Sequence, residues 1–270
     1  MADLAFEILA IYALLGVFVG FSAGLLGIGG GILMVPLLGI VYAWQGLPSD
    51  QVMHLSLGTS MAAIVATSIS SLRSHHARGG VIWPVVKRLA PGIVLGTVTT
   101  SFFATRSTPQ FLSAFFSVFI VAVAIQMYFD AQSKPSRELP SSYGLFGAGT
   151  IIGSLSAMVS IGGGALTVPF LSWCNVPIRK AIGTSAAVGL PLSVGGTAGY
   201  IFYGMDKVID ANYTLGLVYL PAAVMISLTS VFMAPVGVWV AHRAPVSVLK
   251  KVFSGILIAL AIKTVWANFA

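Results

Sequence analysis

The sequence predicts an all-α polytopic membrane protein that is built from two inverted repeats. Three observations support this fold class: 57% of the 270 residues are hydrophobic and only 8% are charged, the apolar residues form long blocks, and a glycine-rich motif occurs twice. Soluble domains carry about 25% charged residues. The chain has too few charges to cover a water-facing surface, so its composition excludes a soluble fold and a nucleic-acid-binding protein.

The hydrophobic blocks give the number of helices. A membrane-spanning helix needs about 20 apolar residues. The first block, Leu4–Trp44, and the fifth, Tyr143–Trp173, are longer than a single span, and glycines interrupt both. No positive charge precedes the first apolar run, so this run is expected to be a membrane helix and not a cleaved signal peptide. Each half should contain a broken-helix hairpin and three spanning helices, which gives about ten helical segments.

Two motifs recur in the same order. Gly20–Leu38 aligns with Gly153–Leu171 at an offset of 133 residues, with nine of 19 positions identical, and the segment LGTS, which begins at Leu57, matches IGTS, which begins at Ile182. The repeats predict a first membrane unit at residues 1–129, a polar cytoplasmic linker at 130–142 and a second membrane unit at 143–270. Broken helices at matching positions of internal repeats are typical of secondary transporters.

The positive charges indicate how the halves face each other. If each long block is a hairpin that returns to its starting side, Arg106, Lys207 and Lys263 lie on one side and the other eleven lysines and arginines lie opposite. If each long block crosses once, the division is eight to six. The positive-inside rule favours the hairpin model. Three net crossings per half then invert the second half, and we expect a multi-pass protein of the cell (inner) membrane with both termini extracytoplasmic.

The glycine triplets are candidate binding elements. A helix that restarts after a triplet directs free N–H groups, with about half a positive charge, at the break. Glycine has no Cβ and permits close approach of an anion. All seven aspartates and glutamates are expected at termini or in loops, which disfavours a cation site. The predicted anion site is lined by Gly29, Gly30, Gly31, Thr59, Ser60, Gly162, Gly163, Gly164, Thr184 and Ser185.

Each of these residues also has a purely structural interpretation. The triplets can serve as breaks alone, and serine or threonine in a membrane helix often bonds its own backbone. His54 and Arg179 stand four residues before each Gly-Thr-Ser; either one attracts an anion at a vestibule or acts as an interfacial anchor. The four-residue spacing of other glycines predicts helix contacts, and these glycines are Gly16, Gly20, Gly24, Gly149 and Gly153.

Enzymatic chemistry and cofactors are not expected. GFSAG, from Gly20 to Gly24, fits the G-x-S-x-G pattern of serine hydrolases, but it lies in an apolar helix and lacks a partner acid. The lone cysteine, Cys174, excludes an internal disulfide and a cysteine-based metal cluster. The expected partners are therefore a small solute and the lipid bilayer, with no nucleic acid, no cofactor and no metal.

The doubled motif resembles the sulfite exporter TauE/SafE family, also called the TSUP or DUF81 permeases. The resemblance is carried by GLLGIGGGILMVPLL, which begins at Gly24, by SIGGGALTVPFL, which begins at Ser160, and by LGTS and IGTS. It implies a permease that exports small sulfur-containing anions such as sulfite, sulfoacetate and other organosulfonates, or small carboxylates. Ser160 stands where the first half has Gly27, so the two breaks are not equivalent.

Two other functions remain open at this point. One is a carrier for a cation or a neutral solute, and the other is a non-transport subunit of a membrane assembly. An intramembrane enzyme would need a catalytic acid, base or metal cluster within the spans, and the apolar blocks do not contain one.

Overall fold

The protein is almost entirely helical. The computed structural model describes residues 2–26, 30–129, 137–207, 213–241 and 246–269. Within these ranges the helices are α1 (Ala2–Leu26), α2 (Gly31–Trp44), α3 (Ser49–Ala77), α4 (Trp83–Ala104), α5 (Pro109–Tyr128), α6 (Ser142–Val159), α7 (Gly164–Trp173), α8 (Ile178–Phe202), α9 (Leu220–Ala241) and α10 (Val246–Phe269). A two-residue strand, β1 (Thr214–Leu215), pairs antiparallel with β2 (Val218–Tyr219) before α9.

Both long hydrophobic blocks are broken at their glycines, as predicted. In the first half α1 ends at Leu26 and α2 begins at Gly31; in the second half α6 ends at Val159 and α7 begins at Gly164. The restarted helices have 14 and 10 residues. At 1.5 Å per residue they extend roughly 21 and 15 Å, which is less than the roughly 30 Å hydrocarbon core of a bilayer.

Within the described residues, six helices are long and apolar enough to cross a membrane. They are α1, α3, α5, α6, α8 and α9. The helices α4 and α10, with 22 and 24 residues, are of comparable length. The expectation of an all-α polytopic membrane protein with about ten helical segments is therefore confirmed.

The two halves are interleaved rather than side by side. Helix α1 packs along α9, and α6 packs along α4, so the first helix of each half lies on the fourth helix of the other. Gly16, Gly20 and Gly24 face the backbone of α9 so closely that a Cβ at Gly20 would lie 2.5 Å from Ser230 Cα. Gly149 and Gly153 face α4 in the same way. The prediction that these five glycines are helix contacts is confirmed.

The helices that carry the Gly-Thr-Ser segments, α3 and α8, run antiparallel at the centre. Gly58 near the start of α3 contacts Tyr200 near the end of α8, and Gly189 in the middle of α8 contacts Ser68. An antiparallel arrangement of two equivalent helices is what an inverted repeat requires. The inversion itself, the division into two units and the position of the termini stay predictions.

Candidate functional site

The restart of each short helix depends on a glycine. Gly30 precedes α2 with φ of 70°, and Gly163 precedes α7 with φ of 24°. Residues other than glycine rarely adopt these backbone angles. A Cβ at Gly30 would also lie 2.6 Å from Val19 Cγ1 of α1, so the chain turns back alongside α1 at this point. The first N–H groups of α2 and α7 have no acceptor within their own helix. In the present conformation the Gly164 amide donates to the Gly162 carbonyl within the second break.

The two breaks are in contact with each other. Gly31, at the start of α2, lies directly against the carbonyl oxygen of Ser160, the residue that caps the C-terminal end of α6. Ser160 has φ of 49°, and its hydroxyl donates to the Leu57 carbonyl of α3 at 3.0 Å. The second break is thereby attached to the Gly-Thr-Ser helix of the first half. Gly29 lies outside the described residues.

The Gly-Thr pair of α3 holds a connection from the other half. Gly58 leaves room for the backbone of Leu217, which would clash with a Cβ at this position. The hydroxyl oxygen of Thr59, fully buried, accepts a hydrogen bond from the Tyr219 amide at 3.0 Å and another from the Tyr42 hydroxyl at 3.1 Å. The ring of Tyr219 packs edge-on against Tyr42 at 5.8 Å. We call this arrangement the first latch.

The Gly-Thr pair of α8 repeats this arrangement. Gly183 leaves room for the backbone of Gly80, and the fully buried Thr184 hydroxyl accepts a hydrogen bond from the Ile82 amide at 3.0 Å. In each latch the glycine contacts one residue of the connection, and the threonine accepts a hydrogen bond from the amide of the residue two positions later in the sequence. This second latch therefore ties the α3–α4 connection to α8, as the first ties the α8–α9 connection to α3.

The serines of the two segments differ in their bonding. The Ser60 hydroxyl is buried without a hydrogen-bond partner, whereas the Ser185 hydroxyl donates to the Ile182 carbonyl of its own helix at 2.8 Å. Two further buried hydroxyls without a partner lie beside the second break, on Ser156 of α6 and Thr167 of α7. Neither was predicted from the sequence, although Ser156 stands five residues before the IGGG stretch and Thr167 three residues after it.

Comparison with known proteins identifies the family. Residues 12–264 match the family model described as Sulfite exporter TauE/SafE. The chain belongs to the TauE/SafE family. A probable membrane transporter protein of Haemophilus influenzae is 36% identical to this chain over 259 residues, which cover 95% of this chain and 98% of the relative. One from Methanocaldococcus jannaschii is 28% identical, covering 94% and 95%. No solved structure matches the chain significantly.

Little open space lies beside the second break of this TauE/SafE membrane transporter in the present conformation. A cavity of about 20 Å³ lies where Gly162 and Ser185 meet Thr67 and Ser68 of α3. A volume of about 10–15 Å³ admits one water molecule, so this cavity is too small for an oxyanion. An anion can reach it only after the helices around it have separated.

The remaining predicted site residues of the transporter lie away from the breaks. His54 is buried and its Nε2 lies 3.1 Å from the carbonyl oxygen of Ser107, in the α4–α5 connection. Arg179 is exposed at the start of α8. Three acidic residues expected at the termini or in loops are instead helical, because the helices extend past their apolar cores: Asp50 is in the first turn of α3, and Asp3 and Glu7 are in α1. Within the described ranges no cluster of three His, Cys, Asp or Glu residues exists to hold a metal ion.

Proposed function

We propose that this transporter moves small sulfur-containing anions, such as sulfite, sulfoacetate and other organosulfonates, across the cell membrane. The observation that carries the proposal is the contact between the two glycine breaks, where short helices begin and neutral hydroxyls lack partners. Helix N-termini attract anions through their free N–H groups and partial positive charge. Gly29–Gly31 and Gly162–Gly164 supply the amides in this proposal. Ser60 supplies a hydroxyl, and Ser185 supplies a second one once its bond to the Ile182 carbonyl opens.

A site of neutral donors suits a carrier. An anion without a fixed counter-charge is held by hydrogen bonds alone and is released readily when the helices separate. The family description, which names sulfite export, supports a sulfur oxyanion as the substrate and the outward direction of transport. A small carboxylate presents the same kind of acceptor oxygens and is the competing substrate class.

The two latches give this proposal a mechanism of alternating access. If the halves are inverted, the first latch closes the site toward one membrane face and the second toward the other. Antiparallel packing of α3 and α8 supports this arrangement, because each latch then lies near the opposite end of the helix pair. Release of one latch at a time opens the site to one side, and both latches are closed in the present conformation.

The proposal is tested by flux of labelled sulfite and sulfoacetate in proteoliposomes. Leucine at Gly163 places a side chain in the break, where the Cβ already lies 3.2 Å from the Ser185 carbonyl oxygen, and we expect flux to be abolished. Gly147→Leu is the matched control, since a Cβ on that α6 glycine meets no atom within 4 Å. Full flux in both Gly163→Leu and Gly30→Leu would rule out the breaks as the site.

Substrate identity is tested separately by competition. Sulfite or sulfoacetate should raise the unfolding temperature of the purified protein, and sodium or transition metals should not. Protection by sodium alone would favour a cation carrier over the anion carrier proposed here.

A further inference from the structure

A second and larger cavity lies apart from the breaks. It occupies about 390 Å³ between α2, α3 and α10. Ligand sites for small molecules typically measure about 300–1,000 Å³. The cavity beside Gly162 of the second break, at about 20 Å³, is far smaller.

The walls of this second cavity combine apolar surface with two polar groups. Val35 and Ile40 of α2 and Val52 of α3 are among the apolar side chains. The Ser56 hydroxyl of α3 lines the cavity, is fully buried and has no hydrogen-bond partner. Lys263 of α10 is exposed at the cavity and forms no salt bridge with the part of the chain that the structure describes. A buried hydroxyl without a hydrogen-bond partner is costly, and a polar group brought within its reach would recover that cost.

The second cavity leads toward the breaks along two helices. Ser56 and Ser60 are four residues apart on one face of α3, about 6 Å along the axis, and both hydroxyls lack partners. On α2, Pro36 and Gly39 line the cavity, while Gly31 begins the helix at the break. The hydroxyl of Ser56 has no counterpart in the second half, where Ala181 takes its place before Gly183.

We propose that this cavity is a vestibule for an amphiphilic organic anion. The oxyanion head lies between the Lys263 ammonium and the Ser56 hydroxyl, and a short alkyl body lies against Val35, Ile40 and Val52. This inference rests on the proposed function and refines its substrate class, because inorganic sulfite has no apolar body to fill the cavity. A small molecule fits the volume better than a whole phospholipid, whose two acyl chains exceed it.

Binding of butane-1-sulfonate to the full chain in phosphatidylcholine nanodiscs tests the vestibule. Lys263→Gln keeps the length of the side chain and removes its charge, and we expect the Kd to rise on the order of tenfold. Lys251→Gln is the matched control, because Lys251 lies on the same helix twelve residues away and does not line the cavity. Its Kd should equal that of the wild type.

A second variant fills the cavity without a clash. A Cβ at Gly39 makes only ordinary contacts, 3.8 Å from the Ser56 hydroxyl and from Val52, so Gly39→Leu extends into open space. We expect this variant to fold and to lose measurable butane-1-sulfonate binding. Ser56→Ala, a smaller change, should raise the Kd several-fold by removing one donor to the oxyanion.

The outcomes separate the vestibule from the transport site. Sulfite flux that persists in Lys263→Gln, together with weaker butane-1-sulfonate binding, supports the vestibule. An unchanged Kd in Lys263→Gln overturns it and leaves the flux test of Gly163→Leu unaffected. If the wild type does not bind butane-1-sulfonate but retains phosphatidylglycerol that Lys263→Gln loses, the cavity is a lipid site and the proposal is wrong.

Discussion

The first latch offers a direct test of how the two halves are held together. Thr59→Val keeps the shape of the side chain but removes the hydroxyl that accepts the Tyr219 amide at 3.0 Å. The Tyr219 amide is partly buried, and leaving a buried donor without a partner costs at most about 1–3 kcal/mol. Because only the closed latch makes this bond, the ratio of open to closed latch should rise roughly 5- to 150-fold, the factor that corresponds to this free energy.

Hydrogen exchange measures this change at the amide itself. In Thr59→Val, we expect exchange of the Tyr219 amide to accelerate roughly 5- to 150-fold, while the Ile82 amide, which Thr184 binds at 3.0 Å, is unchanged. Thr184→Val should have the reverse effect. Thr99→Val is the control, since the Thr99 hydroxyl bonds the Leu95 carbonyl of its own helix.

Two results would refute the reasoning. Unchanged exchange at Tyr219 and Ile82 in their respective variants would mean that the threonine hydroxyls do not hold the connections. Acceleration at both amides in each variant would mean that the latches open together, which is incompatible with separate gates for alternating access.

Three further predictions concern assembly and orientation. Ser160→Ala loses the 3.0 Å bond to Leu57 and keeps the backbone at φ of 49°, so it should lower the free energy of unfolding by about 1 kcal/mol. Ser160→Gly should regain most of this loss, because glycine tolerates the backbone angle. Thermal unfolding in detergent compares the two variants. Gly20→Leu should destabilise the α1–α9 contact by about 1–3 kcal/mol in the same assay, since the Cβ meets the Ser230 backbone, and Gly147→Leu should not. Single cysteines in a Cys174→Ser background should react with an impermeant maleimide from outside intact cells at Ser107 and only after lysis at Ser141; the opposite pattern would reverse the orientation inferred from the charges.

Local chemistry explains why the breaks were predictable from the sequence. Three consecutive glycines carry a large helix penalty, about 1 kcal/mol each, so helix ends at Leu26 and Val159 follow from residue type alone. The contact role of Gly20 and its neighbours follows from their spacing of four, because residues at that spacing share one helix face. Both inferences need only interactions between residues that are near in the sequence.

The bonding of the Gly-Thr pairs was not predictable in this way. Tyr219 is 160 residues from Thr59, and Ile82 is 102 residues from Thr184. No local pattern marks the partner of such a hydroxyl, because the partner depends on how the halves interleave. The threonines were expected to serve as donors to an anion, and in the present conformation they instead accept backbone hydrogen bonds. The vestibule was equally invisible, since Lys263 and Ser56 come from opposite ends of the chain.

The pairing of α1 with α9 has a consequence for biosynthesis. The ribosome makes α1 first, yet the helix that covers its glycine face begins at Leu220. At roughly 5–20 residues per second, the delay between the two is on the order of 10–40 s. Throughout that interval the groove formed by Gly16, Gly20 and Gly24 meets lipid, or an insertion factor in the membrane. Truncated nascent chains that end before α9 should therefore crosslink through α1 to lipid or to the insertion machinery rather than to the rest of the protein.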